Sequence, residues 1–380
     1  MPQFRFNTIS RADIERSQGG NIMIQAIDYD GDDNQMISGV PGSGKTTVTI
    51  MRAERLINDN KNIRVFTFQN LLKTSLQNIA TPALREEIFG FYKWYYTRFQ
   101  FLDSTDSEVE MLLKMADEPI IDEILIDEGQ DFEERIYRSL LQKCKRMTVG
   151  ADNAQRVHER GILSREIRQV LEQTRQTIPV PLEYNYRNTF EIYNFARFFM
   201  PDNERANKQI SLDLMPKGNG NKPIIYQILS EEENLSRIRI ILEDAGDRNI
   251  AILLFHQHEI EEYHKKITSL GFKATKWDAN NQPIEIENIL ITTYKSAKGL
   301  EFQVVVMPDM HTAMDEEYKT AEHYYVGCTR AKESLFLTFT GSSWPECFNN
   351  FDEDTYEYRT AESFLPKTTE STIADDDLPF

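Results

Sequence analysis

Between Gly39 and Thr47 the chain reads G-V-P-G-S-G-K-T-T, which satisfies the phosphate-cradling pattern G-x-x-x-x-G-K-[ST] at every fixed position. The pattern demands a strand before it and a helix after it. Glycines at 39, 42 and 44 let the backbone turn tightly and aim its N–H groups at phosphate oxygens, while the helix that follows presents its positive end to the same anion. Gly39, Pro41, Gly42, Ser43, Gly44, Lys45, Thr46 and Thr47 are therefore the candidate nucleotide-binding residues. In that frame Lys45 reaches the β and γ phosphates, and Thr46 supplies a hydroxyl to Mg²⁺. Gln35 to Ser38 is the expected strand, and Val48, Met51 and Leu56 give the helix an apolar stripe.

A chain of 380 residues, 40 % of them hydrophobic, can bury two ordinary cores, so two domains are expected. No run of apolar residues is long enough to span a bilayer, and Met1 to Arg16 is polar and mixed in charge, unlike a secretory signal. The expected compartment is the cytoplasm. Cys144, Cys328 and Cys347 lie far apart with no C-x-x-C spacing, which argues for packing rather than disulfides or zinc. His256, His258 and His264 cluster in sequence without an acidic partner, a poor set of metal ligands. The net charge of −18 opposes nucleic-acid binding in general, yet it is unevenly spread: residues 346–380 hold ten Asp or Glu against Arg359 and Lys367. A locally basic groove on such a body would bind weakly and with strong salt dependence.

Taken in order, Ser10 can cap a short helix that Gly19-Gly20 breaks, and Ile22 to Ile27 reads as a strand. Gln18 and Gln25 are candidates for reading adenine. Ile63 to Phe68 alternates like a second buried strand, and residues 71–120 are helical in pattern. Within them Phe89 to Phe101 carries eight aromatics in thirteen residues, with Lys93 and Arg98 interleaved. Such a run can stack bases, but Phe91, Trp94, Tyr95 and Phe99 fall at helical spacing, which favours the core of a small subdomain. Glu123 to Asp127 is a hydrophobic strand leading into I-D-E-G-Q-D, and an acid there is where a phosphate-loop enzyme holds Mg²⁺. Asp127 suits the metal, and Glu128 suits the base that activates a water.

The pairing of G-x-x-x-x-G-K-T with D-E-x-Q-D resembles the superfamily 1 helicases of the UvrD, Rep and PcrA type, and further motifs extend the likeness. M-T-V-G-A-D-N-A-Q at 147–155 resembles the third motif, with an extra Ala151, and L-E-Y-N-Y-R-N at 182–188 matches the N-Y-R element. T-Y-K-S-A-K-G-L-E-F at 293–302 matches with Lys295 in place of histidine, and Y-V-G-C-T-R-A-K at 325–332 completes the order. The resemblance implies that Arg187 and Arg330 contact the γ phosphate, that Gln155 senses it, that Tyr186 stacks on adenine, and that Gly299 and Glu301 touch the nucleotide from the second domain. Phosphoryl transfer to water independently asks for cations that arrive on closure.

Departures from the family bear on what such an ATPase would drive. V-H-E-R-G stands at 157–161 where relatives carry a base-stacking tryptophan, and F-Q-N-L at 68–71 lacks the lysine of F-T-N-K. The large inserted subdomains are reduced to about residues 71–120 in the first domain and are absent from the second. The implied fold is two RecA-like parallel-sheet α/β domains, residues 1–180 and 185–345, with ATP in the cleft between them and residues 346–380 as a disordered acidic tail. Ligand residues are expected at the carboxyl ends of the strands. The implied activity is an ATP- and Mg²⁺-dependent motor that moves 3′ to 5′ on single-stranded DNA in repair, replication or anti-phage defence. The alternative is a nucleotide-gated module that regulates a partner without travelling on DNA.

The final residues, Asp375, Asp376, Asp377, Leu378, Pro379 and Phe380, spell D-D-D-L-P-F, which resembles the C-terminal peptide by which bacterial single-stranded-DNA-binding proteins recruit repair enzymes. By that resemblance Pro379 and Phe380 enter an apolar pocket, a terminal carboxylate meets a basic residue, and the aspartates face a positive rim. The expected partner is a protein with such a pocket, a nuclease or repair enzyme. Self-docking onto the chain's own DNA groove is the rival.

Overall fold

The computed structural model describes residues 3–6, 8–99, 106–156, 160–200, 205, 209–218, 220–278, 282–283, 285–310 and 320–360. Hydrophobic strands alternating with helices pair in parallel, because the chain must cross over before it returns to a sheet. Two such sheets form. The first contains β1 (Asn34–Gly39), β2 (Ile63–Thr67), β3 (Ile88–Gly90), β4 (Ile121–Ile126), β5 (Cys144–Ala151) and β6 (Thr177–Leu182), in the order β3-β2-β4-β5-β1-β6. The second contains β7 (Ile224–Ile228), β8 (Ile250–Leu254), β9 (Thr275–Lys276), β10 (Ile289–Thr293), β11 (Phe302–Met307), β12 (Ala331–Thr340) and β13 (Glu357–Arg359), in the order β13-β7-β12-β11-β8-β10-β9. Every strand pairing in both sheets is parallel, as the two-domain α/β expectation requires.

The register places the phosphate loop. β1 lies between β5 and β6, with Ile37 opposite Gly150 and Val180, so the loop leaving Gly39 opens beside the ends of β4 and β5. Its helix, Lys45–Asn58, buries Val48, Ile50, Ala53 and Leu56 against the sheet. β8 and β10 are buried along their whole length, which fits strands covered on both faces.

Several expectations change. Residues 22–27 form part of a helix, Gly20–Asp28, not a strand: Met23, Ala26 and Ile27 are buried at helical spacing, whereas Ile22 and Ile24 are only half-buried. Gly19 starts that helix from the left-handed region at φ 73°. The 71–120 stretch is not wholly helical, because Ile88–Gly90 adds a parallel edge strand too short to show alternation. Its aromatics do not enclose a separate subdomain; Phe91 and Tyr95 are buried in the same core as Ile124, Phe132 and Val149.

Both ends of the domain assignment also move. Gln3 bridges Glu287, Phe4 N–H donates to the Ile286 carbonyl at 2.8 Å, and the Phe4 ring packs edge-on to Phe302 at 5.5 Å. The segment 3–6 thus packs on the second domain, through one isolated antiparallel bridge outside its sheet, although the helices after it cover the first. Residues 346–360 are folded rather than tail: Phe348 is buried beside Trp344 and Phe195, and β13 pairs with β7. The aromatic residues spaced among those acids supply the apolar face that fixes the segment. D-D-D-L-P-F lies outside the described residues.

Candidate functional site

One cleft of about 290 Å³ between the two sheets is lined by Pro41 to Thr47, Glu128, Gln155, Tyr186, Arg187, Gly299, Glu301 and Arg330. The sequence-predicted residues, apart from Gly39 and Asp127, therefore line one space from both domains, with Asp127 bonded to Thr46 beside it. In the first domain they stand at the carboxyl ends of strands: the loop after β1, and Asp127 and Glu128 after β4. In the second they do not. Glu301 immediately precedes β11 and Arg330 immediately precedes β12, so these groups occupy the amino ends. The carboxyl-end rule fails there because the second sheet meets the cleft with its opposite edge.

Close approach explains two glycines. Gly42 has φ 74°, and a Cβ on it would stand 2.5 Å from the Arg187 Cβ, while its carbonyl accepts from the Tyr186 N–H at 3.0 Å. Gly299 has φ 85°, and a Cβ there would strike Leu72 of the first domain at 2.5 Å. A side chain at Gly42 would collide with the start of Arg187, and one at Gly299 would have to displace the buried Leu72 side chain.

On the first-domain side, the Lys45 ammonium donates to the Gly39 and Val40 carbonyls at 2.8 and 3.0 Å, inside the loop's bend. Thr46 Oγ1 donates to Asp127 Oδ2 at 2.8 Å, while buried Asp127 Oδ1 has no hydrogen-bond partner among the described residues. A hydroxyl beside a carboxylate with one buried oxygen unmatched fits a small hard cation such as Mg²⁺, so Thr46 and Asp127 would hold it together with phosphate oxygens. Burial first, and the adjacent Glu128 charge second, push the Asp127 carboxyl up to about 7. A bound cation would reverse that. Ser43 Oγ is also buried without a partner and lines the cleft.

Glu128 adopts φ 57°, a left-handed conformation that is rare for a side chain of this size and typical of a functional turn. Burial alone would raise its pKa, but the ammonium groups of Lys298 and Lys45 hold the carboxyl below its usual range. Lys298 is the residue that sequence reading missed. It projects from the second domain with no exposed surface, donates to Asp131 Oδ2 and the Gln155 carbonyl at 2.6 Å each, and stands 3.4 Å from Glu128. It is the lysine of K-G-L-E-F, and nothing in the spelling says that it enters the other domain.

A relay of polar groups then links the two halves. Gln130 Nε2 donates to Glu128 at 2.7 Å, and Gln130 Oε1 accepts the Asp152 N–H at 2.9 Å. Gln155 Nε2 donates to Asp152 at 2.9 Å, and Gln155 Oε1 accepts from Arg330 at 2.7 Å. Burial and the like charge of Arg187 both disfavour the Arg330 cation, so an incoming anion would relieve two arginines at once. Arg187 Nε donates to Glu301 at 3.1 Å and Lys332 approaches its other oxygen at 3.1 Å; against the effect of burial, these cations hold the Glu301 carboxyl down to about 2.

The apolar end of the cleft is walled by Ile9, Ile14, Met23 and the half-exposed Tyr186 ring, which stacks near Tyr184 and donates its hydroxyl to the Gln18 carbonyl. Neither the Gln18 nor the Gln25 side chain lines the cleft; the polar groups there are Asp13 and Ser17. His256 and His258 stack on each other at 5.2 Å, and His264 Nε2 meets the Ala274 carbonyl at 3.1 Å.

The fold and cleft define a two-domain parallel α/β protein with a phosphate-loop site closed by basic residues from the second domain. Residues 24–158 match the family described as AAA domain, and residues 288–338 match the one described as UvrD-like helicase C-terminal domain. A curated relative, the probable DNA helicase II homolog of Mycoplasma capricolum subsp. capricolum, is 25 % identical over 198 residues. That match covers 46 % of this chain and 26 % of the relative, so it spans about a quarter of the relative's length. Among solved structures, the C-terminal domain of a possible DNA helicase from Lactobacillus plantarum WCFS1 aligns with TM-score 0.36 and 19 % identity, over 46 % of this chain and 98 % of that one. The Arterivirus nonstructural protein 10 helicase, solved with DNA, aligns with TM-score 0.42 and 10 % identity, over 87 % of this chain and 65 % of that one.

Proposed function

We propose that this chain is an ATP- and Mg²⁺-dependent translocase on single-stranded DNA, moving 3′ to 5′ in repair, replication or defence against foreign DNA. The observation that carries the ATPase is the convergence of Lys45, Thr46 and Glu128 with Arg187 and Arg330 on one cleft between two domains. Lys45 and the loop amides bind the β and γ phosphates, and Tyr186 stacks on the base. Bound Mg²⁺, held by Thr46 and Asp127, would supply positive charge to the same phosphates. Glu128, kept ionised by Lys298, takes a proton from the attacking water. Arg187 and Arg330 neutralise the charge that builds on the γ phosphate, and Gln155, bonded to Arg330, ties that event to the first domain. Closure and opening of the cleft would move the two domains along a strand.

The D-D-D-L-P-F segment is read as a docking peptide for a nuclease or repair enzyme that carries an apolar pocket with a basic rim. The reduced insertions lead us to expect poor unwinding of a long blunt duplex by the isolated chain. One observation favours the gated-module reading, namely that V-H-E-R-G stands where relatives place the stacking tryptophan. The deciding experiment is the ATPase rate with and without an oligothymidylate at low salt. We expect at least tenfold stimulation; an unchanged rate would refute the translocase and leave the module.

A further inference from the structure

The first sheet ends at β3, and beside that edge lies a second cleft, of about 540 Å³, that shares no lining residue with the nucleotide site. Its wall combines Ile88, Phe89 and Trp94 with the basic residues Arg64, Lys73, Arg85, Lys93 and Arg98. Three of those cations are engaged: Arg64 with Glu87 and Arg98 with Glu118 at 2.7 Å each, and Arg85 with the Gln77 carbonyl at 2.8 Å. Lys73 and Lys93 have no carboxylate or side-chain hydrogen-bond partner among the described residues. Partial burial first, and the like charge of Lys93 second, push the Lys73 ammonium down. Two unpaired, mutually repelling lysines on a chain of net charge −18 mark a place that an anion would stabilise.

The anion must also cover an aromatic wall. Trp94 is half-buried, packs on Phe66 at 4.9 Å and on Phe99 at 5.6 Å, and lines the cleft. A nucleic-acid strand offers charge and stacking, but it carries a phosphate at every residue, and Glu86 and Glu118 line the same cleft. A peptide whose charges are grouped and then give way to apolar residues meets both halves of the wall without that repulsion. This chain contains one such segment, three aspartates followed by Leu378, Pro379 and Phe380.

We propose that the cleft at the β3 edge is the docking site for this chain's own residues Asp375–Phe380, with the aspartates on Lys73 and Lys93 and the apolar residues against Phe89 and Trp94. Residues 361–374 separate that segment from the folded body and can span about 50 Å when extended. Tethering keeps the segment at high effective concentration, so a weak site is filled in cis until a partner protein captures the peptide. The inference rests on reading D-D-D-L-P-F as a docking peptide, and it is independent of ATP turnover.

The test uses the full chain with Asp375, Asp376 and Asp377 changed to Asn and Phe380→Ala, so that its own tail does not compete. A fluorescent D-D-D-L-P-F peptide should bind saturably, at least tenfold more tightly than D-D-D-A-A-A. Adding Lys73→Glu and Lys93→Glu should weaken it tenfold or more without altering ATPase rate. In the unaltered chain, carbodiimide should join Lys73 or Lys93 to an aspartate in 375–377. Peptide binding that ignores the lysine reversals, or absence of that cross-link, overturns the proposal. Lysine-dependent binding of an oligothymidylate but not of the peptide overturns it too, and makes the cleft a nucleic-acid site. A failure here with ATPase intact leaves the proposed function standing, and a chain without ATPase that still docks its tail does the reverse.

Discussion

The two faces of the nucleotide cleft are built by different rules. The first-sheet face places Lys45 and Thr46 on the loop and helix that leave β1, and Asp127 and Glu128 on the turn that leaves β4, all at strand carboxyl ends. The second face offers Glu301 and Arg330 from the amino ends of β11 and β12, and Arg187 from the segment between β6 and the helix Phe190–Ala196, while Arg330 and Lys298 reach across the cleft to Gln155 and Asp131. The difference teaches a division of labour. On the proposed function the first face would bind polyphosphate alone, while the second would act only when the domains meet, which would make closure and chemistry one event.

The largest expected effects belong to the first face. Lys45→Ala should remove most ATP binding and all measurable turnover, because the ammonium sits in the bend where the β and γ phosphates would lie. Glu128→Gln should retain ATP affinity within a few-fold and lower kcat by about 10³, since the amide cannot accept the proton from water. Nucleotide titration by fluorescence and single-turnover hydrolysis separate the two. Near-normal turnover in Glu128→Gln would remove the residue from its role and erase the asymmetry.

Next come the second-face arginines. Arg330→Ala and Arg187→Ala should each lower kcat by about 10² or more while changing ATP affinity less than tenfold, because their contribution is made in the closed transition state. If either variant instead raises Kd as much as it lowers kcat, that arginine belongs with the binding face. Arg330→Lys tests geometry as well as charge: a lysine lacks the fork that reaches both Gln155 and the Leu300 carbonyl, so it should rescue little.

The same asymmetry decides what could be read from the sequence. The first face was legible because a phosphate loop requires contiguous residues in fixed local geometry, and each of them falls where the spelling puts it. The arginines were legible only through resemblance, since nothing local to Y-R-N or T-R-A-K says that two distant segments line one cleft. Lys298 was not legible at all, because its role comes from one domain entering the other, and Gln130 and Asp152 were not because their bonds to Glu128 and Gln155 join separate turns of the first domain. The strand assigned to 22–27 failed for a local reason: the alternation of Ile22 and Ile24 fits a strand, and only the packing of Met23, Ala26 and Ile27 in one core with Ile14 chooses the helix. The aromatics at 348, 351 and 356 were hidden by the acids around them, which suggested solvation where the chain in fact completes the second sheet.

The smallest expected effect on turnover, and the sharpest on the comparison, comes from Lys298, which belongs by sequence to the second domain and by contact to the first. Its ammonium is fully buried, and although burial alone would push it toward neutrality, Asp131 and Glu128 hold its pKa above the ordinary value. Lys298→Met keeps much of the side-chain volume but leaves the Asp131 carboxylate buried without this cation, which should destabilise the chain by about 3 kcal/mol and lower its melting temperature. Lys298 is also the leading attraction that holds the Glu128 pKa down. Without it the Glu128 pKa rises, the base is ionised only at higher pH, and the acid limb of the ATPase pH profile moves upward. At a pH well above that limb the variant should recover turnover to within about tenfold of the parent, because the arginines and the phosphate loop remain. A lower melting temperature with an unmoved acid limb would make Lys298 a purely structural tie between the domains. An upward shift of the limb would show that the second domain tunes the base of the first as well as stabilising the leaving phosphate.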